Sequence, residues 1–330
     1  MTISRKSSFA WGLCRRRLFA VIAWIAISTS PVAAQQAPSA ARASKTQVVL
    51  LGTGNPFPDP DRSGPATAIV VNGSAYLVDF GAGVVRRAKA AMFDKGIPAL
   101  EPTNLKIAFV THLHSDHTAG YPDLIFTPWV MGRKFALEVY GPSGLRAMTD
   151  HILAAWHEDI EERISTETWQ SPEYRETFKV NVHEVKPGVI YKDANVTVTA
   201  FPTKHAFPET YGYRFDTADR SIVISGDTAP TQATIDACHG CDVLIHEVQT
   251  LDSLAKRRDF QAYAAKYHTN STQLAELASK AKPHLLIIHH ASMVLRPALR
   301  PQASSPEQVL QEVLSGYAGE VVVGRDLDVY

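Results

Sequence analysis

Cysteine is scarce in this chain. Its 330 residues include three, and two of these, Cys238 and Cys241, form a single C-x-x-C pair. One pair excludes a zinc site built from four cysteines, because such a site needs two pairs. A redox-active pair is also disfavoured, because the pair does not follow a predicted strand. We therefore expect a local disulfide between Cys238 and Cys241, formed in an oxidising compartment.

The chain also lacks an excess of positive charge. It contains 33 basic and 33 acidic residues, and the first 34 positions hold five of the basic residues and none of the acidic ones. The remainder is therefore acidic, which disfavours non-specific binding of nucleic acid. No apolar run in that remainder is long enough to cross a bilayer, so we expect no membrane attachment there.

Residues 1–34 have the pattern of a secretory signal peptide. A basic start precedes the short apolar run Leu18–Ile27, and small residues at 31–34 provide a cleavage site. An ordinary Sec signal is the simpler interpretation, and adjacent arginines before the apolar run leave a twin-arginine signal open. We predict a periplasmic or secreted protein with a flexible linker at residues 35–45 and one folded domain at residues 46–330.

A glycine-rich phosphate-binding loop is absent as well. Gly52 and Gly54 follow an apolar run, but the G-x-G-x-x-G spacing fails and proline-rich sequence replaces the expected helix. Strands dominate the first part of the domain, including a hairpin across Asn72-Gly73. A long helix is predicted over Gly144–Ile164, and helices then alternate with strands. The pattern predicts a layered α/β domain with helices outside two sheets.

The most informative segment that is present reads T-H-L-H-S-D-H. It follows the apolar run Leu105–Val110, which predicts a buried strand. His112 and His114 are two residues apart and can converge on one metal ion, whereas Asp116 and His117 can hold a second. Imidazole and carboxylate ligands suit Zn²⁺, and Mn²⁺ or iron would also accept them.

Three later segments offer further ligands at strand ends, where loops present functional side chains. His205 follows a strand and can complete the set begun by the first two histidines. Asp227 lies in a Gly-Asp turn and can bridge two ions. His289 directly ends the apolar run Leu285–Ile288, so we favour it for the second ion over its neighbour His290, which stays open as the alternative.

These residues, in this order, resemble the metallo-β-lactamase superfamily, and most of all its branch that holds ribonuclease Z and the zinc-dependent arylsulfatases. The matching segments are Leu51–Gly54, Leu77–Gly81, Thr111–His117, His205 with Tyr211–Phe215, Ser225–Thr228, Leu244–Glu247, His268 and Ile288–His289. The resemblance spans nearly the whole predicted domain. It implies an α/β fold, a four-layer αβ/βα sandwich, with two zinc ions at one edge.

The resemblance also implies a complete ligand set for two Zn²⁺ ions. The first ion takes His112, His114 and His205, the second takes Asp116, His117 and His289, and Asp227 bridges them. Asp79, at the end of a predicted strand, is the implied carboxylate that holds the metal loop in place. A plain turn aspartate is the alternative at that position.

The chemistry implied by the resemblance needs no serine or cysteine nucleophile. Two metal ions activate a water molecule, which attacks a phosphorus, sulfur or carbonyl centre. Asp116 belongs with the catalytic residues as well as with the ligands. His268, supported by Glu247, gives a proton to the leaving oxygen. A purely structural role for His268 and Glu247 stays open.

The substrate class follows from what is present and what is missing. Asp227 disfavours β-lactams, because the β-lactamases of the superfamily lack a carboxylate at the bridging position. Ribonuclease Z holds tRNA with a basic, glycine-rich arm, and this chain contains no segment of that kind. We hypothesise an exported binuclear zinc hydrolase of small anionic esters, with aryl sulfates as the first substrate class and phosphodiesters as the second.

Three alternatives to this hypothesis remain. They are a lactonase, an endoribonuclease that processes the 3′ end of tRNA, and a metal- or ligand-binding protein without turnover. The expected partner is a small anionic ester rather than a nucleic acid. The sequence leaves the oligomeric state open, with a homodimer among the alternatives.

Overall fold

The computed structural model of the protein describes residues 46–166 and 174–330. The predicted signal peptide at residues 1–34 and linker at residues 35–45 lie outside the described residues. The strands are β1 Thr46–Gly52, β2 Ala66–Val71, β3 Ser74–Val78, β4 Ile107–Phe109, β5 Leu137–Gly141, β6 Val180–Glu184, β7 Gly188–Lys192, β8 Val196–Pro202, β9 Tyr211–Thr217, β10 Ser221–Ile224, β11 Val243–His246, β12 Leu285–Ile288 and β13 Val321–Val323.

Helices connect many of these strands. They are α1 Val84–Asp94, α2 Ser115–Thr118, α3 Tyr121–Val130, α4 Leu145–Ala155, α5 His157–Thr166, α6 Gln232–Cys238, α7 Leu251–Lys256, α8 Gln261–Tyr267, α9 Ser271–Ala281 and α10 Pro306–Leu314. Short 3₁₀ turns lie at Pro98–Leu100, Pro102–Asn104 and Pro297–Leu299. Among the described residues, no helix combines the length and the apolar character that a membrane span requires.

The first sheet has the strand order β1-β2-β3-β4-β5-β6. Its first three strands are antiparallel, and Asn72-Gly73 joins β2 to β3 with positive φ angles of 49° and 81°. Asparagine and glycine tolerate that conformation better than other residues, so the predicted hairpin is confirmed. From β3 to β6 all neighbours are parallel, which places the carboxyl ends of these strands at one edge.

The second sheet has the strand order β13-β12-β11-β10-β9-β8-β7. The strands from β7 to β10 form an antiparallel meander, whereas β10, β11, β12 and β13 are parallel. The carboxyl ends of β10, β11 and β12 therefore also share one edge.

Three apolar layers hold the sheets and helices together. Between the sheets, the ring of Phe109 lies 5.5 Å from the rings of both Tyr213 and Phe215, measured between centroids. A second cluster packs the first sheet against α1, α3 and α4, and a third packs the second sheet against α6, α9 and α10. The molecule is thus a four-layer αβ/βα sandwich, and the predicted α/β fold class is confirmed.

Several elements differ from the sequence-based prediction. The single helix predicted over Gly144–Ile164 is wrong: α4 and α5 meet at Trp156, whose ψ of 15° departs from the helical value. Its indole stacks on Phe126 of α3 with the ring centroids 5.5 Å apart. The elements α7, α8 and β7 were not predicted, because such short segments owe their conformation to tertiary packing rather than to local propensity.

The cysteine pair closes the turn between α6 and β11. Cys238 is the last residue of α6, and its sulfur is bonded to that of Cys241. Both side chains are buried in the apolar layer beneath the second sheet. The expected local disulfide is therefore present in the structure.

A buried hydrogen bond ties the two sheets together where β4 ends. The hydroxyl of Tyr213 in β9 donates to the backbone carbonyl of Val110 at 2.6 Å, and both residues are fully buried. The backbone N–H of Tyr211 donates to the carbonyl of Thr111, the residue after Val110, at 2.9 Å. These two bonds anchor the start of the loop that carries the first histidines.

We expect Tyr213→Phe to lower the free energy of unfolding by about 1–3 kcal/mol, because a buried carbonyl loses its donor. Tyr191→Phe is the matched control, since the Tyr191 hydroxyl donates to Asp193 at 2.9 Å on the exposed surface. That change should cost no more than about 0.5 kcal/mol. Urea unfolding measures both, and equal losses would contradict the anchoring role of Tyr213.

Candidate metal centre

Polar side chains gather at the edge where parallel strands of both sheets end. β4 leads into the loop of His112, β10 leads into Asp227, and β12 leads into the residues after Ile288. His205 lies in the loop after β8, which runs parallel to β10. The fold therefore brings together residues that are far apart in the sequence, as the ligand hypothesis requires.

The first group consists of His112, His114 and His205. The Nδ1 atom of His114 lies 3.0 Å from the Nε2 atoms of both other histidines. The Nδ1–H of His205 donates to the carbonyl of Tyr267 at 2.9 Å, so its Nε2 carries a lone pair that points into the group. One proton on His114 cannot satisfy two such lone pairs, whereas a cation between the three nitrogens can.

The protonation of these histidines also suits a metal site. Burial lowers the pKa of His112 well below its ordinary value and lowers the pKa of His114 and His205 as well. The three rings are therefore neutral near pH 7. Neutral imidazole is the form that binds metal ions.

The second group consists of Asp116, His117 and His290. The Nε2 of His290 lies 3.0 Å from Oδ2 of Asp116, and the Nε2 of His117 lies 3.6 Å from the same oxygen. The Nδ1–H of His117 donates to Asp79 at 2.8 Å, so its Nε2 faces the group. Burial opposes a charge on this ring, but the carboxylates of Asp79 and Asp227 outweigh it and raise the pKa of His117 well above its ordinary value. This arrangement offers two imidazoles and one carboxylate to a second ion.

Asp227 lies between the two groups. Its Oδ1 is 3.4 Å from Nε2 of His117 and 3.4 Å from Nδ1 of His290, and its Oδ2 is 3.9 Å from Nε2 of His205. The preceding residue, Gly226, has a φ of 59°, and a Cβ there would lie 2.7 Å from the Cβ of Thr111. The turn therefore requires glycine next to the carboxylate.

The structure places His290, rather than the predicted His289, in the second group. The sequence favours His289 as the ligand, but its Nε2 donates to the carbonyl of Gly52 at 2.9 Å, outside the cluster. The backbone N–H of His289 donates to the carbonyl of His246 in the neighbouring strand β11, so His289 continues the geometry of β12. At His290 the φ angle becomes 51°, and this reversal directs the ring of His290 to Asp116 instead.

Unsatisfied polar atoms mark the cluster as a place for cations. Among the described residues, Nε2 of His117, Oδ1 of Asp227 and Nδ1 of His290 are buried without a hydrogen-bond partner. Buried polar atoms rarely stay unpaired in native proteins. Histidine and aspartate are also common ligands of divalent transition metals, so the residues present fit metal ions.

Asp79 supports the loop that carries the first histidines. It accepts hydrogen bonds from the backbone N–H of Thr111 at 2.8 Å and from the Thr111 hydroxyl at 3.0 Å, as well as the bond from His117. The Thr111 hydroxyl in turn accepts from Nδ1–H of His112 at 3.0 Å. One carboxylate thus orients a ring in each group, which agrees with the role predicted for Asp79.

His268 and Glu247 form a second buried pair beside the first group. The Nδ1 of His268 lies 2.8 and 2.9 Å from the two oxygens of Glu247, and Glu247 also accepts from the backbone N–H of Thr228 at 2.9 Å. Burial opposes a charge on His268, but the Glu247 carboxylate outweighs it and raises the pKa of His268 to about 9. This ring therefore carries a proton close to the cluster.

A cavity of about 500 Å³ opens above the cluster. Its floor includes His114, Asp116, His205, Asp227, His268 and His290. Its walls carry the aromatic residues Phe57, Phe260 and Tyr263 and the arginines Arg257 and Arg300. A cavity of this size accommodates a nucleotide-sized ligand.

Sequence reasoning assigns Phe57 and Arg300 to loops around the pocket but does not single out Arg257, Phe260 or Tyr263. Phe260, Tyr263 and Tyr267 recur at spacings of three and four residues immediately before His268. This spacing predicts an aromatic helix face next to His268, the predicted proton donor. The arginines have no comparable signature in the sequence.

The chain matches the family described as the Beta-lactamase superfamily domain over residues 74–291. It is 38% identical over 251 residues to a ribonuclease Z of Mycobacterium sp. (strain KMS), covering 74% of this chain and 83% of that protein. It is 32% identical over 288 residues to a ribonuclease Z of Mycobacterium bovis (strain BCG / Pasteur 1173P2), covering 85% of this chain and 96% of that protein.

Solved structures share the fold at lower identity. The short form of human tRNase Z has a TM-score of 0.61 at 23% identity, covering 86% of this chain and 98% of its own. The metallo-β-lactamase fold protein YhfI of Bacillus subtilis has a TM-score of 0.63 at 18% identity, covering 87% of this chain and 100% of its own. The chain therefore belongs to the metallo-β-lactamase superfamily, in the branch that contains ribonuclease Z.

Proposed function

We propose that this protein is a binuclear zinc hydrolase that cleaves phosphodiesters. The observation that carries the proposal is the buried Asp227 between two groups of metal-binding side chains, at the floor of an open cavity. The relatives named ribonuclease Z support the phosphodiester as the bond that is cleaved.

Zinc is the metal that the donor atoms fit best, because imidazole and carboxylate ligands suit a borderline-soft ion. The first ion would be held by His112, His114 and His205, the second by Asp116, His117 and His290, and Asp227 would serve both. When bound, two such ions activate a water molecule and neutralise charge on the ester oxygens. Mn²⁺ and iron are the alternatives to zinc.

The chain's own residues complete the chemistry. Thr111 and Asp79 hold the rings of His112 and His117 by their Nδ1 atoms, so that the Nε2 atoms face the cluster. Glu247 accepts from Nδ1–H of His268, which leaves the other ring nitrogen of His268 to deliver a proton to the leaving oxygen. The order of events is binding at the floor, attack by water and protonation of the leaving group.

A second candidate is the processing of tRNA 3′ ends. The relatives named ribonuclease Z favour it, because they match most of this chain. The distribution of charge opposes it, because the exposed face of α5 carries Glu158, Glu161 and Glu162. An acidic surface repels the phosphate backbone of a large RNA, so a small phosphodiester is the preferred substrate.

Export through the signal peptide remains part of the proposal. An exported enzyme does not meet tRNA precursors, so the cellular location bears directly on the substrate. Sulfate esters, which come first in the sequence-based hypothesis, and lactones are the remaining ester classes.

The zinc-loaded protein should hydrolyse bis-p-nitrophenyl phosphate faster than p-nitrophenyl sulfate, a panel of lactones or a tRNA precursor with a 3′ trailer. Asp227→Ala should lower turnover by more than the roughly 10- to 100-fold that loss of an outer-shell partner costs. The exposed Asp236→Ala is the matched control and should keep wild-type rates. Two bound metals without turnover of any substrate in the panel would overturn the enzyme assignment.

Adjacent histidines allow a direct test of the ligand set. His290→Gln should lower the zinc content from about two ions per chain to about one, because it removes an imidazole from the second group. His289→Gln should keep both ions, because His289 contacts the carbonyl of Gly52 rather than the cluster. Elemental analysis of dialysed protein measures the content, and the reverse pattern would restore His289 as the ligand.

The role of His268 can be separated from a structural one by the choice of leaving group. A p-nitrophenolate leaves without a proton, whereas an alkoxide needs one. His268→Gln should therefore slow the cleavage of an alkyl phosphodiester by about 100-fold or more and affect bis-p-nitrophenyl phosphate much less. Equal losses on both esters would assign His268 a structural role only.

A further inference from the structure

Two arginines lie in the wall of the cavity above the metal centre. Arg257 follows α7, and Arg300 follows the 3₁₀ turn Pro297–Leu299. The guanidinium of Arg257 lies 4.4 Å from the ring centroid of Phe260, and that of Arg300 lies 5.0 Å from the ring centroid of Phe57. Stacking on an aromatic face fixes the plane of a guanidinium and leaves its N–H groups free to bind an anion.

Neither guanidinium has a carboxylate partner in the part of the chain that the structure describes. Across residues 46–166 and 174–330, no aspartate or glutamate forms an ion pair with Arg257 or Arg300, whereas the nearby Arg296 pairs with Asp61. Burial, and then the charge of Arg257, lower the pKa of Arg300. The two positive charges therefore repel each other, no ion pair among the described residues offsets them, and a bound anion would relieve this repulsion.

The cavity connects these arginines to the proposed reaction centre. The ring of Phe260 lies 5.4 Å from that of Tyr263, and these two rings lie 5.8 and 5.6 Å from the ring of His268, between centroids. An aromatic wall thus runs from the proton donor to Arg257. A ligand with its ester at the floor would place a planar group against this wall and a further group near the arginines.

We propose that Arg257 and Arg300 form a binding subsite for a second phosphate group, so that the substrate is a phosphodiester that also carries a phosphate monoester. Two guanidiniums match a dianionic phosphate in charge, and their forked N–H groups match its oxygens. The inference rests on the proposed phosphodiesterase function and adds the recognition of a second anionic group to it.

A matched set of nucleotides tests the subsite. Thymidine 3′,5′-bisphosphate can place one phosphate at the metals and the other at the arginines, whereas thymidine 5′-phosphate and thymidine 3′-phosphate can occupy only one position. Each is measured as an inhibitor of bis-p-nitrophenyl phosphate hydrolysis and by calorimetric titration of the zinc-loaded protein. The bisphosphate should bind the wild type about 10- to 100-fold more tightly than either monophosphate.

The variants decide whether the arginines cause that preference. Arg257→Gln and Arg300→Gln should each reduce the ratio of bisphosphate to monophosphate affinity, and the double variant should remove it. Arg296→Gln is the control, because Arg296 is exposed and lies outside the cavity, and it should keep the wild-type ratio.

The outcomes separate this inference from the function on which it rests. A wild type that binds all three nucleotides equally, or a preference that survives in the double variant, overturns the subsite even if the ester is hydrolysed. Failure to hydrolyse bis-p-nitrophenyl phosphate counts against the proposed function, while the calorimetric ratio still reports on the subsite.

Discussion

The Asp227 carboxylate is buried between two groups of histidines, and one of its oxygens has no hydrogen-bond partner in the described part of the chain. A buried carboxylate is costly unless a counter-charge compensates it. Burial keeps His112 and His205 neutral, and His117, whose pKa Asp79 and Asp227 raise against the effect of burial, can supply only one positive charge. The nearby Asp116 and Asp79 add further negative charge. Divalent cations would supply the remaining compensation, so the cluster fits a metal site.

The fold brings the ligands together because strands of both sheets end on the same side of the molecule. Strand ends deliver the ligands, and hydrogen bonds hold them in orientation. Asp79 adopts a φ of 61° at the end of β3, which turns its carboxylate toward both Thr111 and His117. Close backbone packing leaves little freedom around this point, since a Cβ on Gly81 would lie 2.5 Å from the carbonyl oxygen of Asp116. A rigid frame of this kind keeps the ligand atoms convergent before any ion binds.

The sequence predicts those ligands whose side chains suit a metal ion and whose positions directly follow an apolar strand pattern. His112, His114, Asp116 and His117 lie in one short motif after a buried strand, and Asp227 follows a strand in a glycine turn. His290 replaces the predicted His289 as the candidate ligand because the backbone adopts a positive φ of 51° at His290. The periodicity of apolar residues along a strand does not reveal such an angle. The same limit applies to the break at Trp156, where a contact with α3 overrides a continuous helical pattern. Local sequence carries neither kind of information.

Substrate preference depends on the walls of the cavity more than on its floor. A pair of metal ions accepts phosphate, sulfate and carboxyl esters alike, because it acts on their oxygens. The walls include Arg257, Phe260 and Arg300, which lie at the ends of short helices and turns. An aryl sulfate carries a single negative charge, and its binding at the metals would leave both guanidiniums uncompensated. A phosphodiester with a further phosphate would neutralise both ends of the cavity, so we infer that the walls suit it better than an aryl sulfate.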